Sequence, residues 1–140
     1  LPSEGPAPEP DQLAGALTQA VQPSAVICVD SLCSNEGTRL GRTVQFSDTG
    51  LYPAQPGHAK HLDAAALGVP VIALGIPTVV DLHTAVQGIY GKSVPKDRPN
   101  MMVTPRDIDR LIDHAGDLLA CALNMALHDG MTFAQAEGLG

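Results

Sequence analysis

The sequence predicts an α/β fold: a three-layer α/β/α sandwich with a mostly parallel sheet. Two runs, Ala25–Val29 and Val69–Leu74, are continuously apolar and rich in β-branched residues, as in strands covered on both faces. Helical patterns separate and follow these runs, and strands that alternate with helices favour a parallel sheet flanked by helices. The 140 residues suit one domain of ordinary size.

The first half of the chain divides at its Pro and Gly residues. Asp11 is a candidate helix cap, and Pro23 ends the helical pattern. In chain order we predict a linker over 1–10, a helix over Asp11–Val21, a strand over Ala25–Val29, a loop over Ser31–Arg42, a strand over Thr43–Phe46, a rigid loop over Gly50–Gly57, an Ala-rich helix over Lys60–Leu67 and a strand over Val69–Leu74.

The second half is mainly helical. Thr78–Asp81 fits either a strand or a helix start, and Gln87–Asn100 resembles a mobile insertion. Thr104 is a good N-cap before Pro105, and an apolar stripe then continues to about His128. The predicted organisation is therefore a linker at 1–10, one α/β domain at 11–130 and a tail at 131–140.

Composition excludes several classes of function. The net charge is −7 and no basic run occurs, which argues against nucleic acid or an anionic membrane as a partner. No segment reaches the roughly 18 apolar residues of a membrane span. Three cysteines, two of them inside apolar runs, indicate a reducing cytoplasm.

Thr43–Gly50 is the most informative segment, because a strand-like run there ends in Asp48-Thr49-Gly50. A strand can fix a carboxylate on such a turn, and Gly50 permits the turn's backbone. Asp48 is the first candidate for a catalytic acid. The structural alternative is an Asx-turn, in which the Asp48 side chain accepts a hydrogen bond from the Gly50 N–H.

Five blocks together resemble the C-terminal half of the germination protease family, from about Pro23 to His128. The blocks are Val26–Leu32, Thr43–Gly50, Leu67–Asp81, Met102–Pro105 and Leu123–His128. The resemblance implies a spore endopeptidase that degrades small acid-soluble spore proteins in the cytoplasm of the spore core. It also implies a sandwich similar to that of hydrogenase maturation proteases.

The resemblance assigns an essential role to Asp48. Its proposed partner in the family is an aspartate of the N-terminal half, in a Thr-Pro-Asp-Ala-Leu-Gly-Pro block that is not found here. An aspartic mechanism needs two carboxylates that share a proton. We therefore expect an N-terminal half or a partner chain to complete the site, and we expect a homo-oligomer.

Other residues are weaker candidates. Asp30 is predicted to end the first strand and to face the same cleft as Asp48, as a second catalytic acid. Thr49, Gly50 and Asp81 are the predicted substrate contacts, although Asp81 also suits a helix N-cap. The histidines, His83 included, lack metal-site spacing, so neither a metal nor another cofactor is expected.

Two alternatives remain open. A retropepsin-like homodimer would supply one Asp-Thr-Gly from each subunit, but such proteases are nearly all β, unlike the long helical pattern after Pro105. A catalytically inactive relative or half-domain that binds a partner is the other alternative.

Overall fold

The structure is a computed structural model that describes residues 8–50 and 61–139. Its strands are β1 (Val26–Ser34), β2 (Gln45–Ser47), β3 (Val71–Asp81) and β4 (Met102–Val103). Its helices are α1 (Pro10–Val21), α2 (Ala64–Leu67), α3 (Leu82–Tyr90), α4 (Ile108–Leu127) and α5 (Phe133–Glu137), with a 3₁₀ turn at Gly37–Arg39. The predicted loop Gly50–Gly57 lies almost wholly outside the described residues.

The described chain divides into two compact units. The first comprises 8–33, 44–50 and 61–76, and the second comprises 34–43 and 77–139. β3 contributes residues to both, since the division falls between Ile76 and Pro77.

β3 is the buried strand of the sheet. Val71 is 2% exposed and Val80 1% exposed, and most residues between them are also buried. A proline inside a buried strand removes a ladder donor. Pro77 still takes part through its carbonyl oxygen, which accepts from the Gly41 N–H at 2.8 Å. The ambiguous segment Thr78–Asp81 is thus strand, and the predicted strand at Val69–Leu74 is confirmed from Val71 onward, as part of a longer strand that continues to Asp81.

The sheet is mixed rather than mostly parallel. Its order is β1-β3-β2, and β4 also pairs with β3. β2 is antiparallel to β3, with Ser47 opposite Ala73, and β4 is antiparallel to β3, with Val80 opposite Val103. The mostly parallel prediction was wrong because alternating strands and helices do not fix the direction of such short strands.

β1 lies beside β3, as predicted, but at the end of the strand order and not at the centre of the sheet. Its residues are largely exposed, with Val29 at 50%. The prediction of a central strand covered on both faces was therefore wrong for β1. A continuous apolar run shows that a strand can be buried on both faces. Among the described residues, however, β1 remains largely exposed.

In the first unit, α1 packs against α2. Pro10 occupies the first turn, which needs no N–H, and Glu9 is the N-cap. The predicted cap at Asp11 was wrong, since Asp11 lies inside the first turn. α2 is shorter than predicted but ends at Gly68, which adopts the left-handed conformation expected of a C-terminal glycine.

In the second unit, α3 extends to Tyr90, into the segment predicted as a mobile insertion. The Thr104 hydroxyl donates to the Thr78 carbonyl at 2.8 Å and does not cap α4, whose N-cap is Asp107. α5 lies within the predicted tail, where Thr132 forms a capping box, and it packs against α4. In the described part of the chain, no helix is long and apolar enough to cross a membrane.

Candidate active site

Asp48 follows the last residue of β2 directly. Because β2 pairs with the buried strand β3 up to Ser47, the backbone that carries Asp48 is fixed on one side. Asp48 and Thr49 are exposed, whereas Gly50 is buried with φ of +99°. Only glycine adopts this conformation at little cost. The turn therefore leaves the Asp48 carboxylate exposed while Gly50 is buried.

Hydrogen bonds hold the turn without using the Asp48 carboxylate. The Thr49 N–H donates to Ser47 Oγ at 3.1 Å, and the two hydroxyl oxygens of Ser47 and Thr49 are 2.7 Å apart. Within residues 8–50 and 61–139, Asp48 accepts no bond from the Gly50 N–H, so the Asx-turn interpretation is not supported. The carboxylate is exposed to solvent on a turn that its neighbours stabilise.

Gly50 packs against the chain just before α2. A Cβ built on Gly50 would lie 2.8 Å from both Cα and Cβ of Asp63, and it would also overlap the Leu62 carbonyl oxygen. Asp63 is the N-cap of α2, since its Oδ1 accepts from the Ala66 N–H at 2.8 Å. The Asp48 turn therefore packs against the start of α2, which Asp63 caps.

Asp30 lies inside β1 and not at its end, because the strand continues to Ser34. This corrects the predicted position. Its Oδ1 accepts from the Ser31 N–H at 2.7 Å. Burial raises the pKa of the nearby Cys28 thiol, and the negative charge of Asp30 adds to this, which disfavours the reactive thiolate.

The structure does not bring Asp30 and Asp48 to a common strand end. β1 and β2 lie on opposite sides of β3, about 10 Å apart at the usual strand spacing. Since β2 is antiparallel to β3, its carboxyl end is level with the first residues of β3. The assumption of parallel strands, on which a shared cleft depended, was wrong for β2.

Asp81 caps α3, in the second unit. Its Oδ1 accepts from the Thr84 N–H at 3.0 Å and from Asn100 Nδ2 at 3.2 Å. Hydrogen bonds with Thr84, the side chain first and then the backbone, lower the pKa of Asp81, with smaller help from Asn100 and His83. The helix-cap interpretation of Asp81 is confirmed.

His83 joins the same network. Its backbone N–H donates to Asn100 Oδ1 at 3.2 Å, and its Nε2 lies 3.0 Å from the Pro99 carbonyl oxygen. That contact makes Nε2 the protonated nitrogen when the ring is neutral. No group of three metal-ligating side chains occurs in the part of the chain that the structure describes.

The second unit also contains a groove of about 960 Å³. Its wall includes the buried Val80, and its two acids, Glu36 and Asp107, each pair with an arginine. The Glu36–Arg39 and Asp107–Arg110 distances are 3.0 and 2.8 Å. Both ion pairs lie at the exposed surface of the groove wall.

Sequence reasoning missed Ser47 and Asp63. Ser47 precedes the Asp-Thr-Gly triplet, but its hydrogen bonds depend on a turn geometry that the sequence does not state. Asp63 did carry a local signal, because Asp followed by three alanines, with Gly68 five residues after the Asp, is typical of a short capped helix. Its contact with Gly50 is tertiary and has no sequence signature.

Comparison with known proteins places these residues in a family. The model of the germination protease family matches residues 9–90, which include Asp30, Asp48, Asp63 and Asp81. The germination protease of Clostridium perfringens strain SM101 is 30% identical over 158 residues, covering 88% of this chain and 49% of the relative.

Two further relatives agree. The germination protease of Bacillus velezensis is 28% identical over 184 residues, covering 85% of this chain and 50% of the relative. That of Caldanaerobacter subterraneus is 28% identical over 159 residues, covering 89% and 49%. The chain thus spans about half the length of the curated relatives it matches.

Proposed function

This chain belongs to the germination protease family, and on that premise we propose that it carries Asp48 as one catalytic acid of a peptide-hydrolysing site. The substrates would be small acid-soluble spore proteins, cut during germination in the cytoplasm of the spore core. The observation that carries the proposal is the exposed Asp48 carboxylate on a turn held by Ser47 and Gly50, inside the stretch that matches the family.

The proposed chemistry is aspartic. As a carboxylate, Asp48 would take a proton from a water molecule that attacks the peptide carbonyl carbon, and a second acid would protonate the leaving nitrogen. The exposed carboxylate is free to do so because the hydrogen bonds of its turn are made by other groups. Thr49 and Gly50 would contact the substrate backbone beside the reacting bond.

The second acid is proposed to come from outside the described residues. Asp30 is the candidate within β1, but the opposite positions of β1 and β2 around β3 make direct proton sharing with Asp48 unfavourable. A second copy of the chain, or the part of the family's length that this chain does not span, would supply the acid. The same addition would cover the exposed face of β1 and complete a three-layer sandwich similar to hydrogenase maturation proteases.

Asp81 has a different proposed role. Its hydrogen bonds and lowered pKa keep it ionised, so as a substrate contact it would offer a fixed negative charge and would not exchange protons. The retropepsin-like alternative is disfavoured by the five helices of the described chain, one of them 20 residues long. An inactive binding relative remains the competing hypothesis, and a cleavage assay separates it from the protease.

The test is cleavage of purified small acid-soluble spore proteins, by the chain alone over a range of concentrations and after addition of the N-terminal half of the Clostridium perfringens relative. Cleavage is expected in at least one arrangement, and Asp48→Asn should lower its rate by about 10²–10⁴-fold. Asp129→Asn, at another exposed acid, is the matched control and should cleave normally.

Two results would count against the proposal. Full turnover by a folded Asp48→Asn variant would reject Asp48 as a catalytic acid. Absence of cleavage in every arrangement, with substrate binding retained, would favour the inactive relative. Circular dichroism of each variant establishes that the fold is intact.

A further inference from the structure

Gly50 joins the Asp48 turn to the chain just before α2. Gly50 is buried, and its Cα lies so close to Leu62 and Asp63 that no side chain fits between them. The contact is with backbone atoms and with Asp63 Cβ, which cannot swing away as the end of a long side chain can. β2 fixes the N-terminal side of the turn, and the position of its C-terminal side follows that of the chain at Leu62–Asp63.

Asp63 fixes that position by capping α2. Its Oδ1 accepts from the Ala66 N–H at 2.8 Å, and its carbonyl oxygen accepts from the Leu67 N–H at 3.0 Å. A helix of four residues is too short to be stable alone, so it depends strongly on its cap and on the packing of α1. Loss of the cap would loosen the surface on which Gly50 rests.

We propose that Asp63 is a positioning residue for Asp48, acting through the α2 cap and the Gly50 contact. The role needs a hydrogen-bond acceptor at Oδ1 and does not need a negative charge. Its catalytic consequence rests on the proposed function above, whereas its structural consequence does not.

Three variants test the assignment by amide hydrogen exchange measured with NMR. Asp63→Asn keeps an acceptor oxygen in place, so exchange of the Thr49 N–H should match that of the wild type. Asp63→Ala removes the acceptor and should raise Thr49 exchange roughly fivefold, the factor that corresponds to the typical loss of an N-cap. Thr132→Ala removes the cap of α5, in the second unit, and should leave Thr49 exchange unchanged.

Activity provides an independent measurement in whichever assembly cleaves substrate. Asp63→Ala should lower kcat with little change in KM, and Asp63→Asn should restore kcat. Should Asp63→Ala fail to fold, Asp63→Gly takes its place, because glycine is a tolerated N-cap that also lacks the acceptor.

Unchanged Thr49 exchange in the folded alanine or glycine variant would overturn the assignment. So would an Asp63→Asn variant as defective as Asp63→Ala, since the charge would then be the functional feature. A wild type that cleaves nothing would defeat the proposed protease, while the exchange measurements would still decide whether Asp63 positions the turn.

Discussion

Asp48 and Asp81 both follow strand-forming runs, yet they differ in whether their carboxylates accept hydrogen bonds. Asp81 accepts hydrogen bonds from Thr84 and Asn100, and these bonds lower its pKa. Asp48 is exposed, and the bonds that shape its turn are made by Ser47 and Thr49. An acid whose oxygens are occupied supports the fold, whereas an acid held in place by its neighbours remains available for chemistry.

The largest effect is expected from a change at Gly50, which anchors the Asp48 turn. Gly50→Ala should destabilise the chain by more than the roughly 1–3 kcal/mol that an unfavourable φ alone costs, because the new Cβ would also overlap Leu62 and Asp63. Urea unfolding followed by circular dichroism measures the change.

Gly68→Ala is the matched control for this substitution. Gly68 has a similar positive φ of +74°, but nothing lies within 4 Å of a Cβ placed there. It should therefore show the backbone cost without the overlap. Equal losses for the two variants would mean that the Gly50 contact does not fix the turn.

Substitution of Asp81, whose carboxylate accepts hydrogen bonds, should have the next largest effect on stability. Asp81→Ala should lower the free energy of unfolding by about 1 kcal/mol, the usual cost of losing an N-cap. Asp81→Asn keeps an acceptor oxygen, so at neutral pH it should lose less. Urea titrations of the three proteins at pH 7 give the values, and a larger loss for asparagine than for alanine would contradict the cap role.

The lowered pKa of Asp81 adds a pH dependence of definite sign. A carboxyl group with a lowered folded-state pKa stabilises the fold above its unfolded pKa of about 3.9, and this stabilisation is lost as pH falls through the lower folded value. The difference in unfolding free energy between wild type and Asp81→Asn should therefore shrink from pH 5 to pH 2. A difference that stays constant over this range would show that the charge contributes nothing.

The smallest expected effect belongs to Asp48. Asp48→Ala should change the free energy of unfolding by no more than about 0.5 kcal/mol, because an exposed side chain outside the hydrogen bonds of its turn does little for the fold. Thermal unfolding followed by circular dichroism at pH 7 tests this. A loss above 1 kcal/mol would show that the carboxylate supports the turn and would weaken its assignment as a free catalytic acid.

Local sequence signals predicted much of the fold. The apolar run Val69–Leu74 became part of β3, Gly68 ended a helix, and the stripe after Pro105 became α4. These features depend on burial or on the conformations open to one residue type. The length and the exposure of β1 were not predictable, since both depend on what else lies against the sheet.

The candidate site was predictable only where a catalytic residue type stands beside a glycine that permits an unusual backbone conformation. Asp-Thr-Gly marked Asp48 because a glycine with positive φ follows the acid. The placement of Asp30 failed, because the sequence does not show that β1 continues to Ser34 or that β2 is antiparallel. Asp63 was missed, because its contact with Gly50 joins parts of the chain that no local pattern connects.

Among the described residues, β1 ends the strand order, and this has a consequence for the colloidal behaviour of the chain. An apolar strand at the end of a sheet can template the addition of strands from other molecules. At neutral pH the net charge of −7 keeps copies apart, but near the sequence pI of about 4.9 this repulsion disappears. Mildly acidic or high-salt solutions are therefore expected to favour association of copies, and a neutral, dilute buffer of low ionic strength to keep the chain dispersed.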